Sequence, residues 1–295
     1  MMRRTVIAAA LSLLLVQNNY AQQSAKNTDP DKIYKEALNL YDNRKFVAAH
    51  KLFEDVEKAI DQQKDEKDSK DISLLRINAE FYAAVCGLEL YNDNAVNLLL
   101  HFVTHYPENP NAKLASFELG NFYYRQANYP QAIDWYNKTD PSTFSANQRL
   151  EYHFRNGYAL FQEKKFDKAI VNLKRVKSNT SKYAYPATYY EGLAYYEIKK
   201  YKEALASLSK LKDSKTYAEV IPYTIIKINY DLKSYEELLS YTAGILNVPK
   251  LKNEREILVL AGSSAIFAKK FELAINYYEQ ARKKQALNDQ ESYEL

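Results

Sequence analysis

Apolar residues return along most of this chain in a helical rhythm rather than in the alternation of a strand. The pattern is an aromatic, then a small residue three positions on, then a large residue after four more. It occurs at Tyr129/Ala132/Tyr136, Phe166/Ala169/Leu173, Tyr201/Ala204/Leu208 and Phe271/Ala274/Tyr278. Offsets of three, four and seven place such residues on one helix face. The small position falls at Ala49, Ala95, Ala132, Ala169, Ala204, Leu238 and Ala274, and successive differences are 46, 37, 37, 35, 34 and 36. A period in that range marks stacked supersecondary units, each unable to bury its apolar face alone.

Each period reads as two antiparallel helices joined by a short turn. Between Lys113 and Pro141, the residues Leu114, Phe117, Leu119, Gly120 and Tyr123 make one apolar stripe. Ala127–Asn128 interrupts it, and Tyr129, Ala132, Ile133, Tyr136 and Thr139 begin a second. Pro141 stops that helix, because proline lacks an N–H and crowds the preceding turn. Gly120, Gly157, Gly192 and Gly262 each lie twelve residues before the small residue of the second helix. Glycine inside a helix costs about 1 kcal/mol of propensity. Its recurrence at one place therefore predicts close helix crossing.

The sets Gly120-Tyr123-Tyr129-Ala132-Tyr136, Gly157-Leu160-Phe166-Ala169-Leu173 and Gly192-Tyr195-Tyr201-Ala204-Leu208, with Gly262, Phe271, Ala274, Tyr278 and Ala281, resemble the tetratricopeptide repeat family. The resemblance extends over roughly Asp31–Lys284. It implies an all-α fold, a right-handed α-α superhelix (solenoid) of helical hairpins. The expected division is a first hairpin over 31–60, a charged linker or helix extension over 61–75, and six hairpins over 76–284. Three copies depart from the pattern. The first has Ala37 in place of glycine; the second has Asn92 at the turn aromatic; the sixth has Ile226 and Leu238 at the two small positions. The sixth is expected to cross less closely.

The two ends read differently. Met1–Arg4 is basic, Thr5–Val16 apolar and Gln17–Ala21 short and polar, which reads as a secretory signal peptide over 1–21. Residues 22–30 read as a flexible lead-in, and 285–295 as a partial cap or a truncated continuation. Removing 1–21 takes away Arg3 and Arg4, so the formal charge falls from +4 to +2. That near-neutral balance gives no case for nucleic acid binding. Cys86 is the sole cysteine, excluding an internal disulfide, and it sits in a helical apolar pattern. No apolar run reaches the length of a membrane span.

In the repeat family, the fifth and twelfth first-helix positions tend to face an inner, concave wall. The resemblance carries these roles onto Tyr34 and Tyr41, Phe117 and Tyr124, Phe154 and Phe161, Tyr189 and Tyr196, and Tyr223 and Tyr230. Arg125, Lys227 and Asp231 are charged candidates on or beside that wall. Asn121 alone fits a terminal-carboxylate clamp, whose other positions hold Phe117, Phe154 and Tyr189, so such a clamp is not expected. Tyrosine offers apolar area, a polar tip and little rotamer entropy, which suits an interaction surface.

The sequence shows no catalytic signature. It has no nucleophile elbow, phosphate-binding glycine loop or dinucleotide fingerprint. His101 and His105 share a helix face near Glu108, but no H-E-x-x-H motif accompanies them. No enzyme activity, cofactor or metal is expected. The expectation is a protein–protein interaction scaffold of the bacterial cell envelope, periplasmic, with a protein or peptide partner such as envelope assembly machinery and peripheral outer-membrane association. Alternatives are a peptidoglycan- or glycan-binding envelope protein, or the N-terminal repeat domain of a larger multidomain protein.

Overall fold

The computed structural model describes residues 29–62, 70–176 and 181–291, with side chains through 284. Among the described residues there are fourteen α-helices, two short 3-10 turns and no strand. The signal-peptide segment, residues 22–28 of the lead-in and residues 63–69 of the charged linker lie outside the described residues, while Asp29 and Pro30 of the lead-in belong to the start of α1. The chain divides into two compact units at Asp140/Pro141. The first unit holds α1 (Pro30–Asp42), α2 (Phe46–Gln62), α3 (Lys70–Glu89), α4 (Ala95–His105), α5 (Asn111–Arg125) and α6 (Tyr129–Tyr136). The second holds α7 (Ala146–Gln162), α8 (Phe166–Leu173), α9 (Ala184–Glu197), α10 (Tyr201–Leu208), α11 (Ile221–Asp231), α12 (Tyr235–Ile245), α13 (Glu254–Phe267) and α14 (Phe271–Glu291). Odd and even helices pair as successive hairpins, seven in all among the described residues.

Local sequence sets the ends of these helices. Asp29 caps α1 by accepting from the Asp31 and Lys32 amides, with Pro30 in the first turn. Asn128 caps α6, and Ser145 with Gln148 forms a capping box on α7. Every first helix closes in the same way. One residue turns left-handed: Arg44, Tyr91, Ala127, Lys164, Lys199, Lys233 or Lys269. The next amide then reaches back five residues to a carbonyl, as in Lys165 to Leu160 at 2.8 Å and Lys200 to Tyr195 at 2.9 Å. This closure satisfies carbonyls that the helix end leaves open. None of the seven turns uses glycine. Five use lysine or arginine, whose charge complements the negative end of the helix dipole.

The recurrent glycines mark the closest approaches. A Cβ on Gly120 would lie 2.6 Å from the Tyr136 ring, and on Gly157 2.8 Å from Leu173 Cγ. Gly192 and Gly262 meet Leu208 and Tyr278 in the same way, at 2.8 and 2.9 Å. The large residue of each second helix thus fills the gap left by the missing side chain of the first. In the sixth hairpin Ile226 and Leu238 are both fully buried. Their added bulk holds α11 and α12 at fewer close approaches than the other pairs make. Thr242 takes the place of the large residue there, buried and bonded to the Leu238 carbonyl at 2.8 Å.

One sequence assignment changes. In the second hairpin, left-handed Tyr91 precedes Ala95 by four residues, whereas Lys164 precedes Ala169 by five. That turn is one residue shorter, so Asn92 is a loop residue and no aromatic position exists for it to occupy. At the other end, residues 285–291 of the expected partial cap or continuation belong to the backbone of α14.

Both cores follow the hairpin order. Phe53, Val56 and Ile60 of α2 pack with Ala79 and Cys86 of α3, and Phe81 and Leu88 of α3 pack with Leu99, Phe102 and Leu119. In the second unit, Ile170, Tyr195, Leu208, Ile221 and Ile228 form one cluster. Leu238, Leu239, Ile257, Leu258 and Tyr277 form another. Each second helix packs on the first helix of the next hairpin within its unit. Shared burial of this kind makes a repeat stable only beside its neighbour.

Candidate functional site

Successive first helices also touch, α1 with α3, α3 with α5, α7 with α9 and α11 with α13, while second helices make no comparable mutual contact. The rings anticipated from sequence therefore lie where first helices adjoin. They do not share one environment.

In the first unit, Tyr34 and Tyr41 are half-buried. Tyr34 meets Phe53 and Tyr82 edge-on at 5.8 and 6.3 Å, and Tyr41 meets Phe46 and Tyr82 at 5.9 and 5.1 Å. Burial pushes both phenols well above their ordinary range, so they remain protonated donors. Tyr82, which joins these two rings, is not at a position the sequence singled out. Phe117 and Asn121 depart from expectation most clearly: they are 1% and 3% exposed. Phe117 lies 6.2 Å from the Tyr136 ring, and Asn121 Oδ1 accepts from the Tyr136 hydroxyl at 2.9 Å. Tyr136 reaches that depth because Gly120 leaves room, so Phe117 and Asn121 are core residues with no face for a ligand. Tyr124 is half-buried against Tyr129, and Arg125 reaches Glu89 at 3.2 Å.

In the second unit the rings connect. Phe154 stacks on Tyr183 at 5.1 Å, Phe161 meets Phe166 and Tyr190 at 5.5 and 5.3 Å, and Tyr189 meets Tyr190 and Tyr217 at 5.3 and 5.0 Å. Tyr190 links the last two, and its phenol is pushed up mainly by burial. Further along, Lys227 Nζ sits 5.1 Å from the Tyr196 ring and 5.6 Å from that of Tyr223. A cation between two ring faces is favourable. The Lys227 ammonium is held above its ordinary range, first by its bond to the Tyr196 hydroxyl.

Beside this lysine opens a cleft of about 290 Å³ between α11 and α13. Tyr223, Lys227, Tyr230 and Asp231 line one wall; Arg255, Glu256, Val259 and Leu260 line the other. Two cations face two carboxylates, so the cleft carries no net charge, and Val259 and Leu260 give it an apolar floor. Tyr230 meets Tyr235 edge-on at 6.2 Å, and Asp231 accepts from the Tyr201 hydroxyl at 3.2 Å. The α11 wall was visible from sequence. The α13 wall was not, because its residues are not aromatic and only stacking brings them opposite.

A larger opening, about 430 Å³, lies in the first unit between α2, α3 and α4. His50, Glu54, Glu57, Arg76, Glu80 and His101 surround its apolar floor. Burial first, and then Glu57, raise the Glu80 carboxyl above its usual range. Among the described residues, no three histidine, cysteine or acidic groups are placed to hold a metal ion. His101 and His105 stack ring on ring at 3.8 Å, and His105 Nδ1 lies 3.0 Å from the His101 carbonyl oxygen. Among the described residues, no helix is long and apolar enough to cross a membrane.

Residues 92–146 match a family model described as a tetratricopeptide repeat. The hairpins are tetratricopeptide-like. Among solved structures, the chain is similar to that of MamA protein, with 17% identity and a TM-score of 0.51 over 63% of this chain and 98% of that one. The MamA RS-1 ArsTM double mutant gives 16% identity and a TM-score of 0.50, covering 62% and 98% of the two chains. MamA AMB-1 gives 16% and 0.50, covering 59% and 92%. Identity at this level shows a shared fold alone. No curated protein matches the chain.

Proposed function

We propose that this protein is a non-catalytic scaffold that binds a protein or peptide on the first-helix side of its hairpins, in the periplasm of a bacterial cell envelope. The observation that carries the reading is the Tyr196–Lys227–Tyr223 stack leading into the α11/α13 cleft. Half-exposed tyrosines beside balanced charges suit a peptide, whose backbone needs donors and acceptors while its side chains need apolar contact. Assembly-machinery partners and peripheral outer-membrane association remain part of the proposal, resting on the signal-like residues 1–21.

The test is quantitative capture from an envelope extract by the chain and by its Tyr223→Ala/Lys227→Ala/Tyr230→Ala variant, with helicity checked by circular dichroism. Loss of about tenfold or more in a specific partner is expected. Equal capture by both proteins removes the cleft from the account. Localisation has its own check, the N-terminal sequence of the protein recovered from cells: retention of residues 1–21 defeats the periplasmic placement. The glycan reading draws less support. Trp135, the sole tryptophan, has Lys138 Nζ 3.8 Å from its ring centroid, which occupies one stacking face.

A further inference from the structure

The last hairpin keeps apolar residues that its predecessors use to seat the following helix. In α8, Ile170 and Leu173 are 7% and 1% exposed; in α12, Leu239 and Thr242 are 5% and 0%. The matching pair in α14, Ile275 and Tyr278, is 61% and 37% exposed, and Phe271 one turn earlier is 61% exposed. Ile170 and Leu239 join cores formed with α9 and α13, the first helices of the next hairpins, whereas Leu173 and Tyr278 also pack on the glycines of their own hairpins. After α13, the backbone continues as the single helix α14 to Glu291, so those residues do not turn back across this face. Phe271, Ile275 and Tyr278 stand at offsets of four and three, which makes one continuous stripe. Arg282 continues that stripe, and Glu272 and Glu279 flank it.

We propose that this stripe is a self-association surface, joining two copies of the chain through antiparallel α14 helices. Two features select a second copy as the occupant. The first is charge complementarity within α14 itself: Glu272 stands at its start, and exposed Arg282 and Lys283 lie ten or eleven residues later. An antiparallel pair with its two-fold axis near Tyr278 sets the acidic start of each helix beside the basic stretch of the other. The same arrangement opposes the two helix dipoles favourably. A two-fold contact of this kind is isologous and closes at two copies.

The second feature is the character of α1. Its exposed residues are Asp31, Lys32, Lys35, Glu36, Asn39 and Asp42. Stacking that polar helix on Phe271 and Ile275 in a head-to-tail chain buries charges without partners, which is unfavourable. The hairpin–hairpin interfaces inside the unit provide the physical precedent: apolar residues at these same positions meet a helix wherever one is available. The stripe shares no residue with the α11/α13 cleft, and the inference stands whether or not that cleft binds a peptide.

Sedimentation velocity on the purified chain, from micromolar to the highest soluble concentration, reads the association directly. A reversible dimer is expected, and Ile275→Glu is expected to weaken it by about tenfold or more with helicity unchanged. Glu272→Arg and Arg282→Glu are each expected to weaken the dimer, and the two together to restore it. Tyr278→Cys, beside the two-fold axis, should cross-link between copies on mild oxidation and Lys35→Cys should not, with buried Cys86 out of reach. A wild-type chain that stays monomeric throughout overturns the proposal, as does a dimer indifferent to Ile275→Glu or cross-linking through Lys35→Cys.

Discussion

Gly157 and His153 share one helix and show how much a single position in α7 can decide. A methyl group on Gly157 meets not only Leu173 Cγ at 2.8 Å but the Leu173 backbone nitrogen at 3.2 Å. A side chain could rotate away; a backbone must move. Alanine gains about 1 kcal/mol of helix propensity over glycine, and overpacking a tight core costs about 1–3 kcal/mol. Gly157→Ala is therefore expected to lower stability by roughly 1 kcal/mol net, read as a shift in the urea midpoint at constant slope. His153 is buried, with Nδ1 3.1 Å from Asn172 Oδ1. Burial holds its imidazole below the ordinary value, Asn172 opposes this, and Arg175 and Arg149 add to the lowering. The fold therefore favours the neutral ring. That contribution is present above the unfolded value of about 6.5 and is lost as pH falls through the lower folded value, because the unfolded chain takes up the proton first. The melting temperature should drop between about pH 7 and pH 5, and His153→Gln should show a smaller drop over the same interval. A drop of equal size in both proteins would mean that other groups govern acid sensitivity.

At the scale of elements, the seven left-handed closures are the feature that composition concealed. The chain has only 6 glycines, and none sits at such a turn. A left-handed residue bearing a side chain is strained by about 1–2 kcal/mol, and a β-branched one more so. At Lys199, the expected order of stability is Gly above Lys above Val. Valine should lower stability by roughly 1–2 kcal/mol; glycine should raise it by a few tenths, since its freedom in the unfolded chain offsets most of the relief. Denaturant titration of the three proteins gives the order, and a valine variant as stable as the parent would contradict the strain. The periodic stripes and caps that place these helices were legible because they are local. The shortened turn before Ala95 was not, since a deletion of one residue leaves the apolar pattern nearly intact.

At the scale of the whole molecule, reactivity reports cooperativity. Cys86 is fully buried, and burial pushes its thiol up to about 12. Thiol reagents require the thiolate. Cys86 should therefore resist labelling in the folded chain and react at the rate set by opening of the α2/α3 packing, with labelling and loss of helicity following the same denaturant curve. Fast labelling under native conditions would show that the first unit opens on its own. The sequence by itself determined the repeat, the helical hairpins, the small-residue crossings and most of the ring positions, because each depends on residues within one helix or its partner a turn away. Only the tertiary structure decided which rings remain available. Phe117 and Asn121 vanish beneath Tyr136, Tyr82 and Tyr190 become the links between neighbours, and Arg255, Glu256, Val259 and Leu260 complete a cleft that α11 alone cannot form. Periodicity fixes the face of a helix on which a side chain stands. Exposure depends on what the next hairpin sets against that face, and that is a property of stacking.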